Sequence, residues 1–182
     1  MAKRKVRNVS AALLLAACSA AFGIENAQPL PAAANELLQM YPGARIHKEQ
    51  DRVRIIYGMP MTPGRDAKNA AGNWIQLHGE AFGCGKLEVR ETYNVPFSDG
   101  SKTAISYQQF IGGVPVEYGA LKVLVLNGAV PQVVYAAGTL APAPADGFAR
   151  PSLTGETAVQ IVRAMPVWKK VPHWSKAELV VF

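Results

Sequence analysis

The chain has 182 residues, of which 49% are apolar, so it can fill the core of one ordinary domain or of two small ones. Its formal net charge of +6 raises the question of a nucleic-acid partner. Four of the 19 basic residues, however, lie within the first seven positions, and without them 15 basic residues (19 − 4) face 13 acidic ones. No basic stripe with interleaved aromatic side chains follows, so binding to nucleic acid is not expected.

The N-terminal region has the pattern of a signal peptide. Its early basic residues are followed by an apolar run at residues 9–22, VSAALLLAACSAAF. This run of 14 residues is too short to span a bilayer as a stable helix, which needs about 20. We therefore interpret residues 1–28 as a signal peptide and tether, and we expect the mature chain to be exported, either secreted or periplasmic.

The apolar run also contains a candidate lipidation site. Residues 15–18 read LAAC, which matches a bacterial lipoprotein signal with Cys18 as the acylated residue. Lipid on Cys18 would anchor the exported domain to a membrane, and no other membrane attachment is expected. In the alternative interpretation, Cys18 is one small residue of an ordinary signal peptide that is cleaved later, for example after Gly23. Cys84 is then the only cysteine of the mature chain, and we expect a small buried residue there rather than a reactive thiol.

The first elements predicted for the mature chain are helices and a hairpin. A short helix is predicted at residues 35–41, and a strand or small hairpin follows at residues 45–57. Three alternating side chains of this hairpin should point one way: Val53, Ile55 and Tyr57. A clearer helix is predicted at residues 66–82, because apolar residues recur there at steps of three and four. Its core-facing residues are Ala67, Ala70, Ala71, Trp74, Leu77, His78, Ala81 and Phe82.

A series of alternating segments then predicts an antiparallel meander. Its strands are expected near residues 87–93, 105–111, 121–126 and 130–135. Turn signals lie between them, and Asn127-Gly128 is the strongest hairpin signal among these. The fold class is therefore α+β, with a helix packed on an antiparallel β-meander.

The remainder of the chain is predicted to begin a second unit. Residues 142–150 form a Pro/Ala linker, and Thr154 is a suitable N-cap for a helix that ends before Pro166. Residues 177–182 have the pattern of an apolar strand that lacks a partner. We therefore expect residues 151–182 to be part of a longer unit that continues beyond Phe182.

No arrangement of residues indicates catalysis. The zinc-peptidase pattern HExxH is absent, and His47, His78 and His173 lie far apart in the sequence. Glu88 and Glu91 would face opposite sides of a strand, which makes them a poor acid–base pair. We predict no catalytic, metal-binding or cofactor-binding residue within these positions and no cofactor, so a binding or folding module is favoured over an enzyme.

The segment YQQFIGGVPVEYGALKVLVLNGAVPQVV, however, resembles a known family, the propeptide domain of fungalysin and thermolysin metalloproteases. The resemblance extends from about Asn73 to Phe182. Its core motif is a Gln, then a Gly, an apolar residue, Pro and Val, and a further Gly. In this sequence the matching residues are Gln109, Gly113, Val114, Pro115, Val116 and Gly119.

This resemblance implies both a domain organisation and a function. Residues 30–141 would form the propeptide domain, and residues 151–182 resemble the helix–strand start of a PepSY-like (cystatin-like) unit. A domain of this family inhibits a zinc metallopeptidase and assists its folding, in cis or in trans, while the zinc belongs to the peptidase. The motif residues are expected to be mainly structural. The alternative is an exported or lipid-anchored binding module that has no peptidase partner.

Overall fold

A computed structural model describes residues 29–168, 170–171 and 176–181. The predicted signal peptide and Cys18 lie outside the described residues, as do His173 and Phe182. Within the described ranges the α-helices are α1 (Ala32–Met40), α2 (Ala67–His78) and α3 (Gly155–Ala164). The strands are β1 (Arg45–Glu49), β2 (Arg52–Tyr57), β3 (Glu88–Pro96), β4 (Lys102–Ile111), β5 (Val114–Leu126) and β6 (Gln132–Gly138). Short 3₁₀ helices lie at Gly79–Phe82 and Pro166–Trp168.

The strands form one six-stranded antiparallel sheet in the order β1-β2-β6-β5-β4-β3. Strands β3 to β6 follow one another as a meander, as the sequence predicts. The N-terminal hairpin then joins the free side of this meander, because β2 pairs with β6. The α+β class is therefore confirmed, and β6 becomes an interior strand, as β4 and β5 already are within the meander.

The core lies between one face of this sheet and the helices α1 and α2. Trp74 of α2 and Leu37 of α1 are completely buried, and they pack with side chains from the centre of the sheet such as Leu121 and Val123. Asp66 is the N-cap of helix α2, and its side chain accepts a hydrogen bond of 2.7 Å from the Asn69 amide. We call the sheet face that contacts these helices the inner face and the opposite one the outer face.

The predicted long helix is wrong at its C-terminal end. Regular α-helix stops at His78, and the chain continues as the 3₁₀ helix. Leu77, expected to face the core, is 66% exposed. Ala81 and Phe82 are buried as predicted, because the tighter 3₁₀ turn changes the direction of the chain and brings them back to the core.

The predicted face of the N-terminal hairpin is also wrong. Val53 is buried, but Tyr57 is 40% exposed, and Ile56 is the residue that enters the core. The pairing of β1 with β2 shifts register between His47 and Lys48, so Arg54 is an extra residue in β2. One extra residue moves the following side chains to the opposite face.

The Asn127-Gly128 signal marks a hairpin, but not a tight one. Five residues, 127–131, connect β5 to β6, and β6 begins at Gln132 rather than Val130. The Asn127 side chain instead donates hydrogen bonds to the Gly100 carbonyl and the Thr103 hydroxyl. The two-residue turn of the meander lies between β4 and β5, and it uses glycines with positive φ.

Helix α3 begins as predicted, because the Thr154 hydroxyl accepts a hydrogen bond from the Thr157 amide at 3.1 Å. It ends at Ala164, shortly before Pro166, and none of its side chains is buried. None of the described helices combines the length and apolar character that crossing a membrane requires.

His78 is a buried titratable group in the helical layer. It is 6% exposed, and its Nε2 atom lies 3.5 Å from the Tyr41 hydroxyl. Its ring also contacts Trp74, at 6.0 Å between ring centroids. Burial lowers the pKa of His78 below its ordinary value of 6.5, because the apolar surroundings disfavour the charged ring.

We therefore predict that acid weakens the fold through His78. The unfolded chain binds the proton more readily, so the free energy of unfolding falls as the pH drops below about 6.5, by at most about 1.4 kcal/mol per pH unit. Urea unfolding measured between about pH 5 and 7.5 checks this, because most carboxylates stay ionised in that range. The slope should disappear in His78→Phe and persist in His47→Gln, since His47 is exposed. An unchanged slope in His78→Phe would contradict the assignment.

Candidate functional site

The most unusual feature of the sheet is a large bulge in β5. Gln108 of β4 is opposite Ala120, whereas Phe110 is opposite Pro115. Two residue steps on β4 (108 to 110) therefore face five on β5 (115 to 120), so β5 contains three extra residues. Residues 116–119 form what we call the β5 bulge. Because β5 is an interior strand, the polar backbone groups of the bulge need partners within the protein.

Gln108 supplies partners inside the bulge. Its Nε2 atom donates hydrogen bonds of 2.6 Å to the Val116 carbonyl and 3.0 Å to the Gly119 carbonyl. The Thr139 hydroxyl donates a third, of 2.6 Å, to the Tyr118 carbonyl. Side chains therefore replace the ladder hydrogen bonds that the extra residues cannot make.

Gln109 bridges the bulge on the other side of the strand. Its side chain is almost completely buried and reaches the segment that follows β6. Gln109 Nε2 donates to the Ala141 carbonyl at 2.7 Å, and the Ala141 amide donates to Gln109 Oε1 at 2.9 Å. The side-chain amide of Gln109 thus exchanges two hydrogen bonds with the backbone of Ala141, as two paired residues of an antiparallel sheet do. It takes the place of the backbone groups of β5 that the bulge displaces.

Gly119 leaves the space that this arrangement needs. A Cβ atom at position 119 would lie 2.6 Å from the Cβ atom of Val116 and 3.1 Å from Oε1 of Gln109. Val116 is itself buried. Three of the residues predicted from the motif, Gln109, Val116 and Gly119, are thus brought together at one place in the bulge.

The other three motif residues lie at the β4–β5 turn. Gly112 and Gly113 have φ angles of 59° and 79°, which favour glycine in a two-residue hairpin. The Gly113 amide donates a hydrogen bond to a carboxylate oxygen of Glu88 at 3.2 Å. Val114 and Pro115 then begin β5 opposite the end of β4.

The predicted C-terminal strand meets this same region. The Val181 amide donates to the Pro115 carbonyl at 2.9 Å, and the Glu117 amide donates to the Val181 carbonyl at 2.7 Å. This is an isolated parallel bridge between Val116 and Val181, and residues 176–180 form no regular strand. Over the described part of 177–182 the expectation of an unpaired strand is therefore wrong, because no regular strand forms there and Val181 is paired with Val116.

Sequence reasoning missed the roles of Gln108 and Tyr118. Gln108 could have been found, because two consecutive glutamines in a mostly apolar strand face opposite sides and each needs hydrogen-bond partners. Tyr118 has a φ angle of 59° and is 78% exposed. Its conformation follows from the bulge, and no local pattern in the sequence reveals it.

The remaining candidate groups offer little chemistry. Glu88 and Glu91 lie on opposite faces of β3, as their pairing with Phe110 and Tyr107 shows. Burial raises the pKa of the Cys84 thiol, so the reactive thiolate form is disfavoured. Within the described ranges, no group of three or more His, Cys, Asp or Glu side chains is placed to hold a metal ion.

Comparison with known families matches the part of the chain that contains the bulge. Residues 85–134 match the family model described as Fungalysin/Thermolysin Propeptide Motif. This segment is therefore similar to a fungalysin/thermolysin propeptide motif. It spans β3, β4 and β5 with the bulge, and it ends within β6. No curated protein and no solved structure shows significant similarity to the chain.

The propeptide motif explains what kind of segment this is. It occurs in propeptides of thermolysin- and fungalysin-type metalloproteases, which are secreted enzymes, and it is not itself catalytic. Such propeptides associate with a metallopeptidase domain in cis. The match ends at residue 134, so the PepSY-like continuation remains a prediction.

The Gln109 contacts generate a prediction on stability. In Gln109→Leu, the Ala141 amide and carbonyl lose their partners, so we expect a loss of about 1–3 kcal/mol in the free energy of unfolding. Chemical denaturation measures the loss, and faster hydrogen exchange at the Ala141 amide locates it. Gln160→Leu is the matched control on the exposed surface of α3, where we expect a change within about 0.5 kcal/mol. Equal effects of the two substitutions would disprove the bridging role of Gln109.

Gly119 generates a second prediction. Gly119→Ala places a methyl group against Val116 and Gln109, so we expect destabilisation of about 1–3 kcal/mol. Gly72→Ala is the control, because a Cβ atom in that helical position meets nothing within 4 Å. It should stabilise the chain by about 0.5–1 kcal/mol. Thermal and urea unfolding of both variants measure the effects, and a stable Gly119→Ala chain would show that the bulge accommodates the side chain.

Proposed function

We propose that the chain is a propeptide-type module that inhibits a thermolysin-like zinc metallopeptidase and assists its folding, without being catalytic itself. The observation that carries the proposal is the family match at residues 85–134, which falls on three complete strands of an intact sheet. The partner is a peptidase domain, in cis or in trans, and the zinc ion is part of that partner.

The structure of the bulge supports such a role. An inhibitor that binds without covalent chemistry depends on a surface of defined shape. Hydrogen bonds from Gln108, Gln109 and Thr139 hold the bulge in one conformation before any partner arrives. A preformed surface loses little conformational entropy on binding, which favours affinity and lets the module serve as a template for a folding partner.

The proposed location is outside the cytoplasm. The predicted signal peptide supports export, and the propeptide motif belongs to secreted proteases. Lipid on Cys18 would hold the module at a membrane, whereas later cleavage would release it. An N-terminal mass measurement of the exported protein separates these two alternatives.

Inhibition in trans tests the proposed function directly. The full chain is added to thermolysin and, separately, to a fungalysin catalytic domain, and hydrolysis of a fluorogenic peptide is followed. We expect saturable inhibition of at least one enzyme and a higher yield when that enzyme is refolded from denaturant in the presence of the chain. A chymotrypsin-type serine protease is the specificity control and should be unaffected.

Two checks complete this test. Intact mass after the assay shows whether the chain has merely competed as a substrate, since a cleaved chain would have lower mass. If the intact chain neither inhibits nor binds any of these zinc peptidases, the proposed function is wrong, and the alternative of an exported binding module without a peptidase partner is favoured.

A further inference from the structure

Tyr118 has a backbone conformation that tyrosine rarely adopts. Among the described residues other than glycine, only Gln50 and Tyr118 have positive φ angles. Gln50 lies in the connection between β1 and β2, where such a conformation is common. Tyr118 lies within β5, and a bulky residue in the left-handed region is strained.

Neighbouring side chains hold Tyr118 in this conformation. The Thr139 hydroxyl donates to the Tyr118 carbonyl, and Gln108 donates to the carbonyl groups of Val116 and Gly119 on either side. The tyrosine ring takes no part in these contacts, since the residue is 78% exposed. Packing of the ring therefore does not compensate for the strain, and strain of this kind tends to occur at functional positions.

A positively charged groove lies beside Tyr118. It has a volume of about 350 Å³. Thr139, whose hydroxyl donates to the Tyr118 carbonyl, is one of the residues that line it. Its small side chains, including Ala120 and Ala137, leave room between Arg54 and Lys122. These two cations and the carboxylate of Glu49 also line the groove, giving a net charge of +1.

The two cations of the groove, Lys122 and Arg54, are not fully neutralised by other described residues. Lys122 is exposed and forms no ion pair with any described residue. The Nε atom of Arg54 lies 3.2 Å from a Glu49 oxygen, yet it is buried and lacks the geometry of a hydrogen bond. A carboxylate from outside would therefore meet one free cation and a second one that is only partly neutralised.

We propose that the β5 bulge presents Tyr118 as an anchor residue for the peptidase partner. The ring enters an apolar pocket on that partner, and a carboxylate beside the pocket faces Lys122 and Arg54. This inference rests on the proposed function and adds to it the contact residue and the chemistry of the complementary surface. Tyrosine suits such a role, because its side chain has few rotatable bonds and buries a large area at small cost in conformational entropy.

Substitution of Tyr118 separates anchoring from a structural role. Tyr118→Gly removes the ring and also relieves the backbone strain, because glycine adopts positive φ readily. We expect its urea unfolding midpoint to be equal to or higher than that of the wild type, while its affinity for the inhibited peptidase falls by about tenfold or more. Tyr118→Phe should keep most of the affinity. Tyr93→Ala, at a 52% exposed tyrosine on β3, is the matched control and should bind like the wild type.

Charge reversal tests the second part of the surface. Lys122→Glu should weaken binding and reduce its dependence on salt, whereas Lys86→Glu makes the same change at an exposed lysine in the loop before β3 and should leave binding unchanged. Binding is measured by titration with the same thermolysin and fungalysin domains, at low and at moderate ionic strength.

The outcomes distinguish the two proposals. If the wild-type chain binds a peptidase and Tyr118→Gly binds equally well, the anchor is wrong while the proposed function stands. A Tyr118→Gly chain with a clearly lower unfolding midpoint would mean that the ring is a packing residue, and this also overturns the anchor. If the wild-type chain binds neither peptidase, the proposed function fails and the anchor fails with it.

Discussion

The centre of this sheet depends on how three extra residues are hydrogen-bonded within an interior strand. Strand β5 has β4 on one side and β6 on the other, so displaced backbone groups meet protein rather than water. Two consecutive glutamines meet this requirement, since Gln108 bonds within the bulge and Gln109 bonds across it to Ala141. Neighbouring residues of a strand project to opposite faces, so an adjacent pair serves both sides at once.

The same arrangement gives the two consecutive glutamines of β4 a structural role. A propeptide-type module, as proposed above, acts through its shape, and the glutamines of β4 hold that shape. The strain at Tyr118 is a consequence of the bulge, and in our proposal the exposed ring and the charged groove beside it form the surface that meets the peptidase. The proposal thus places rigidity and recognition in one local feature.

Local signals were sufficient for much of the fold. The periodicity of α2, the Thr154 cap and the glycines of the β4–β5 turn each act within a few residues, and the structure contains all three elements. Predictions failed where pairing with another segment, near or distant in sequence, intervened. The face of β2 depends on a register shift against β1, and Asn127 uses its side chain to bond Gly100 and Thr103 instead of forming a tight turn.

The sequence by itself determined the α+β class, the meander and the family motif, because hydrophobic periodicity, turn residues and motif spacing are properties of neighbouring positions. Only the tertiary structure decided that Gln109, Val116 and Gly119 meet, that β2 closes the meander at β6, and that Val181 pairs with the bulge. These contacts join residues that are separated along the chain or lie in an irregular strand. Their geometry is set by which backbone groups lack a partner after the whole sheet has formed, and no single segment contains that information.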